Sequence, residues 1–297
     1  MIYIHWIVLV AYTVIAILAM ITVLMEHRQP AKTIAWVLVL SFLPLVGIIL
    51  YFFFGRRTRK NRNIWQKSVD QLTKRSMIEF AEQKQLELST DYQRLIQLFM
   101  NQNLALPFKN NTAEVYVSGY DFFPALFATI SKAKHHIHIV SYIIDDDPLG
   151  RLLRDTLIDK ARKGVEIRFL FDDVGSWKTK NKFFEQMREE GIEVHPFMPV
   201  RFPAFTGKVN YRNHRKIIVI DGKVGFIGGM NFAQRYIKGN KNVKWRDTHI
   251  KINGPAVYGL QRAFLIDWFY ADRTLITDRK YYPEIKIKQP NNCLIQI

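Results

Sequence analysis

The chain has 297 residues, 43 Lys and Arg against 26 Asp and Glu, and a formal net charge of +17. With 48% hydrophobic and 13% aromatic residues it is too apolar for a disordered chain. Its single cysteine, Cys293, excludes an internally stapled secreted scaffold and points to a reducing compartment.

Charge divides the chain in two. Residues 1–55 carry only Glu26, Arg28 and Lys32; residues 56–297 hold the other 41 basic and 25 acidic residues. Residues 2–25 are uncharged, and a helix of that length is roughly 36 Å long, enough to cross a bilayer core of about 30 Å. A second uncharged run covers 33–54 and contains Pro44 and Gly47. The pattern predicts a transmembrane helical hairpin over 1–55, with spans at 2–25 and 33–54. A cleaved signal peptide is disfavoured, because the N-terminus lacks Lys and Arg and no small-residue cleavage site follows. Arg56, Arg57, Arg59, Lys60 and Arg62 follow the second run, so the positive-inside rule places residues 56 onward in the cytoplasm at the cell membrane and the turn outside. The same cluster suits anionic headgroups.

Residues 56–106 read as a basic juxtamembrane segment and helical connector, with helical periodicity over 91–100. A separate domain is expected over 107–297. Strands are predicted at 113–118, 137–144, 165–171 and 192–196. Helices are predicted at 121–134, 149–163 and 181–190, the last two closed by Gly164 and Gly191. This alternation predicts an α/β domain with a mixed, mostly parallel sheet covered by helices. Strands at 215–220, 224–227 and 247–252 have short connections and should pair antiparallel. A helix at 255–271 follows, and the apolar residues 293–297 read as the beginning of a strand.

Residues 211–231 carry the chemical signal. In a strand His214 and Lys216 point to the same face, where an imidazole can attack phosphorus and an ammonium can neutralise a phosphoryl oxygen. Asp221 has the opposite parity and is expected to tie down the turn Asp221-Gly222. Other clusters have plainer readings. Asp145-Asp146-Asp147 can bind Mg²⁺ but suits a cap on the following helix, and Asp172-Asp173 reads likewise. His135, His136 and His138 lack a metal-ligand pattern and read as solvated or half-buried.

The array His214-x-Lys216-x4-Asp221-x6-Gly228-Gly229-x-Asn231 resembles the signature of the phospholipase D superfamily, with Gly229 where many members have Ser. The two apolar runs with a basic exit, Tyr211-Arg212-Asn213 before His214, and Trp245-Arg246-Asp247-Thr248-His249 followed by Gly254-Pro255-Ala256-Val257 resemble bacterial cardiolipin synthases. The resemblance implies catalytic His214, Lys216 and Asp221, a substrate phosphate held near Gly229 and Asn231, and no metal or other cofactor. Asp247 falls where members place an acid that can orient the histidine.

The implied reaction transfers a phosphatidyl group between two phosphatidylglycerol molecules through a phosphatidyl-histidine, giving cardiolipin and glycerol. Other anionic lipids and the bilayer are the remaining expected partners. The synthases carry the motif twice, and this chain carries it once. It is therefore expected to be an N-terminal half whose partner is the missing C-terminal half or a second copy of the chain. Two other readings stay open: a membrane-bound phospholipase or nuclease acting as a homodimer, and a non-catalytic membrane-anchored fragment.

Overall fold

The computed structural model describes residues 2–25, 30–51, 92–103, 105–199, 212–239, 245–285 and 293–297. The chain divides into two compact units, residues 1–61 with 200–211, and residues 62–199 with 212–297.

The first unit holds three helices, α1 (Ile2–Met25), α2 (Pro30–Phe42) and α3 (Pro44–Leu50). α1 runs unbroken for 24 residues without Asp, Glu, Lys or Arg. The second predicted span is not one helix. It breaks at Leu43, ahead of Pro44, into pieces of 13 and 7 residues. Proline lacks the N–H that would continue the ladder and restricts the residue before it. Among the residues with described side chains, no helix offers a continuous apolar stretch long enough to cross a membrane. Val23, Leu40 and Tyr51 form a small buried cluster within this unit. Most of the turn at 26–32, the end of the second run at 52–54, the basic exit and most of the connector lie outside the described residues.

The second unit begins with α4 (Gln93–Asn103), β1 (Pro107–Phe108), β2 (Thr112–Tyr116), α5 (Gly119–Ile130) and β3 (His136–Ser141). Two crossovers follow: α6 (Pro148–Arg162) to β4 (Glu166–Asp172), and α7 (Asn181–Glu189) to β5 (Glu193–Phe197). The remaining elements are β6 (Ile217–Ile220), β7 (Val224–Gly228), α8 (Arg235–Lys238), β8 (His249–Asn253), α9 (Val257–Asp272) and β9 (Ile295–Gln296).

Seven strands form one sheet in the order β2-β8-β7-β6-β3-β4-β5. It is mixed, as expected, but not mostly parallel. Only β3 with β4 and β4 with β5 run parallel; the other neighbours are antiparallel. The reason is connectivity. α6 and α7 each return the chain to the same sheet end beside the strand just left, whereas the turn at 221–223 makes a hairpin.

Alternation sends successive side chains to two cores. Ile137, Ile139, Ile218 and Ile220 join Phe122, Leu153 and Phe169 on one face. Val140, Ile217 and Val219 join Leu260, Phe264 and Trp268 of α9 on the other. The apolar segment at 295–296 pairs antiparallel with β1, and Gln296 Nε2 donates to the carbonyls of Ile96 and Ala105 at 3.0 and 2.9 Å.

Two minor readings turn out differently in detail. Asp147 caps α6 by accepting from Gly150 N–H at 3.0 Å, while Asp145 and Asp146 pair with Arg235 and Arg151. His136 and His138 are not solvated but fully buried, because β3 is an interior strand and their parity aims them at α9. There Gln261 bridges their rings, and Tyr281 and Arg168 close the network. Burial holds His136 down at about 4 and His138 well below the ordinary histidine value.

Candidate active site

The register places the candidate residues. β3 runs antiparallel to β6 with Val140 opposite Ile217, so the residues after β3 and those before β6 meet at one sheet end. β7 ends there at Gly228, opposite His249 at the start of β8. His214, Lys216, Gly229, Asn231 and Asp247 therefore gather along one rim, together with Tyr142.

His214 is exposed and its ring stacks on Tyr142, with centroids 3.7 Å apart and 28° between the planes. Partial burial lowers its basicity, the Lys216 ammonium lowers it further, and Asp172 opposes both. The shift favours the neutral imidazole, the state in which a ring nitrogen has a free lone pair. Lys216 is buried, its Nζ donating to the His214 carbonyl at 2.6 Å and lying 5.2 Å from the Tyr142 ring centroid. Burial pulls its basicity down, with Asp247 opposing. An ammonium has three donors, and the His214 carbonyl takes one.

The segment ahead of β6 is held by two carboxylates that sequence reasoning missed or read differently. Asn213, also buried, donates its N–H to Asp172 at 3.2 Å and its side-chain amide to Asp267 on α9 at 2.8 Å. Its Oδ1 accepts from Arg215 N–H at 3.0 Å, while Arg215 Nη1 donates to Asp267 at 2.6 Å. The other oxygen of Asp172 accepts from Val174 and Gly175 N–H at 3.0 and 2.9 Å, so it braces two segments rather than capping a helix. Asp267, the one charged residue in the apolar stretch 263–271, was the available signal; Tyr142 carried none.

The structure does not bring Asp221 to this rim. It follows β6 at the opposite end of the sheet, in a left-handed conformation with φ 52°. Its carboxylate accepts from the N–H groups of Lys134, His135 and His136 at 2.9, 2.7 and 3.0 Å. It therefore staples the start of β3 as well as its own turn. Asn231, read as a phosphate contact, has a buried side chain that accepts from Ile143 N–H at 2.9 Å and donates to the Tyr236 hydroxyl at 2.5 Å.

Gly228 and Gly229 permit two close approaches. A Cβ at Gly228 would overlap the His249 ring, and one at Gly229 would overlap the Asp247 carboxylate. The Ser found here in many members of the resembled family would displace Asp247 as it stands. Asp247 accepts from Thr248 N–H at 2.7 Å, and its electrostatic influence falls on Lys216. His249 is fully buried, stacked on Phe122 with centroids 4.0 Å apart, and neither ring nitrogen has a hydrogen-bond partner among the described residues. Burial first, and Lys216 second, lower it to about 3. Among the described residues no group of three or more acidic, His or Cys side chains is placed to hold a metal ion.

Known proteins resemble this chain in sequence. A family model described as "Cardiolipin synthase, PLD-like domain" matches residues 126–268, and one described as "Phospholipase_D-nuclease N-terminal" matches 14–56. The chain is 40% identical over 268 residues to a cardiolipin synthase from Geobacillus sp. (strain WCH70), covering 88% of this chain and 53% of that protein. It is 37% identical over 292 residues to a cardiolipin synthase from Listeria monocytogenes serotype 4b (strain CLIP80459), covering 93% and 61%. The chain thus spans about half the length of the first curated relatives it matches. Among solved structures it aligns with NucT from Helicobacter pylori over 54% of this chain and 98% of that one, with 15% identity and a TM-score of 0.44. Residues 126–268 are thus similar to the PLD-like domain described for cardiolipin synthases.

Proposed function

We propose that this chain is the nucleophile-bearing part of a membrane-anchored phosphatidyltransferase that makes cardiolipin. The observation that carries the reading is an exposed His214, its ring stacked on Tyr142, beside buried Lys216, whose Nζ donates to the His214 carbonyl. A ring nitrogen of His214 attacks the phosphorus of one phosphatidylglycerol and expels glycerol, leaving a phosphatidyl-histidine. A hydroxyl of a second phosphatidylglycerol then attacks that phosphorus, releasing cardiolipin and restoring the imidazole. Lys216 neutralises charge on the non-bridging oxygens. Asp172 and Asp267 hold the backbone around His214, Asp247 tempers Lys216, and Asp221 and Asn231 are structural.

The departing alkoxide needs a proton, and His249 is too deeply buried and too weakly basic to provide it. A second motif fills that role, from the additional length seen in the relatives or from a second copy of this chain. A C-terminal half supplied in trans is favoured.

The test measures cardiolipin and glycerol formed in phosphatidylglycerol membranes, by the full chain alone and with a separately expressed C-terminal half of a two-motif relative. His214→Ala must abolish product and the acid-labile phospho-adduct. Phosphatidic acid or cut nucleic acid in place of cardiolipin would identify a hydrolase; no adduct under any condition would leave a non-catalytic fragment.

The anchoring is proposed on sequence grounds: α1 has the length and the absence of charge, the second apolar run would complete a hairpin across its Pro44 break, and the basic exit sets the orientation. Labelling from outside intact cells should reach a cysteine at position 29 and miss one at position 180.

A further inference from the structure

At the rim that carries His214, the segment between β4 and α7 is tightly braced at its base. Asp172 accepts from Val174 and Gly175 N–H, and Ser176 N–H donates to the Asp172 carbonyl at 2.9 Å. Ser176 Oγ accepts from Ile144 N–H at 3.1 Å, and Thr179 Oγ1 donates to the Ile144 carbonyl at 2.7 Å. Gly175 packs directly on Tyr142, the ring that stacks on His214. From this base the turn presents Trp177, 74% exposed, with Lys178, Lys180 and Lys182 exposed around it.

A single exposed tryptophan is common and carries no argument. Here three lysines surround it against one carboxylate in the segment, Asp173. A second partly exposed tryptophan, Trp245, packs on Tyr236 at the same sheet end beside exposed Arg246. Nearby carboxylates are already paired: Asp145 with Arg235, and Asp146 with Arg151. An indole with flanking ammonium groups suits the headgroup layer of an anionic leaflet, where the ring sits at the polar boundary and the lysines meet negative surface potential.

We infer that the turn bearing Trp177 is an interfacial anchor that inserts shallowly into an anionic bilayer surface and sets His214 at headgroup depth. The inference rests on the proposed function for the lipid nature of the substrate. Its readout is depth rather than product, so either reading can fail without the other. Stacking rings and lysines also suit single-stranded nucleic acid; the apolar α1 favours the lipid surface.

The experiment uses the full chain in a Cys293→Ser background, reconstituted in nanodiscs. An environment-sensitive fluorophore is attached at Lys178→Cys, or at Lys180→Cys should the first variant not fold, with Trp177 kept, and at Lys163→Cys as a control at the opposite sheet end. Quenching by shallow brominated lipids is compared in phosphatidylglycerol-rich and in phosphatidylcholine nanodiscs. The anchor label should be quenched and blue-shifted in the anionic discs only, with the control label aqueous in both. Each lysine changed to Gln should lower the ratio of docked to free turn about fivefold. An anchor label that stays aqueous, equal quenching in both lipids, or equal quenching of the control overturns the inference. So does a label that ignores lipid but is shielded by an added oligonucleotide.

Discussion

Replacing Asp267 separates the two roles a buried carboxylate can play. It accepts from the Asn213 side-chain amide at 2.8 Å and from Arg215 Nη1 at 2.6 Å, its own side chain being 8% exposed and that of Arg215 53% exposed. Asp267→Ala leaves the Asn213 amide unpartnered, a loss of about 1–3 kcal/mol. The ion pair with half-exposed Arg215 adds no more than about 1 kcal/mol once solvent screening is counted. The expected loss is therefore about 1–4 kcal/mol. Burial raises the Asp267 carboxyl above its ordinary value, outweighing Arg215 and Asn213, so the charged form is disfavoured in the fold. Asp267→Asn removes that charge and keeps an acceptor for either partner, so it should be close to neutral at pH 7. The raised value also sets a pH dependence. The stability linked to this carboxyl is fully present below the unfolded value of 3.8 and is lost as pH rises through the folded one. Asp267→Asn should abolish that decline. Urea unfolding of the two variants, followed by tryptophan emission across the acid range, checks both statements. An Asn variant as unstable as the Ala variant at pH 7 would refute the reasoning, because pairing would then outweigh burial.

Three further outcomes are expected. Asp221→Ala should destabilise the domain by about 2–3 kcal/mol in urea unfolding, having lost three backbone partners. Asp221→Asn should lose less, because Asn tolerates the left-handed backbone and still accepts. Gly229→Ser should cost about 1–3 kcal/mol by overpacking against Asp247, and a double-mutant cycle should show the cost shrinking in an Asp247→Ala background. His249 is lowered to about 3, so its stabilising contribution is present above the unfolded value of 6.5 and is lost as pH falls through about 3. His249→Phe should shift the acid unfolding midpoint to lower pH, as read by circular dichroism, because it removes a buried group that would otherwise take up a proton.

Local signals were legible in the chain and distant ones were not. Parity predicts one face for His214 and Lys216; both lie at the rim ahead of β6, while Asp221 follows β6 at the opposite sheet end, separated by distance along the strand. The Gly-Gly pair was visible as a motif, but its fit to Asp247 and His249 depends on strand register. Asp267 lies more than fifty residues beyond Asn213 and Arg215, and no short window links them. His136 and His138 misled for a related reason. Their polar pattern resembles a surface, and only Gln261, more than a hundred residues later, explains how they are buried. The antiparallel pairing beyond that expected for the late strands joins β2 to β8 and β3 to β6, partners far apart in the chain.

The position of β6 governs how the catalytic geometry is lost on unfolding. It is hydrogen-bonded to β3 on one side and β7 on the other, and its side chains enter both cores. Local openings begin at edges and loops, so the amides of Ile217 to Ile220 should exchange only through global unfolding. The backbone leading to His214 is then tied to the slowest-opening part of the molecule. On the proposed function, heat or denaturant should leave phosphohistidine formation at His214 intact until the whole domain melts.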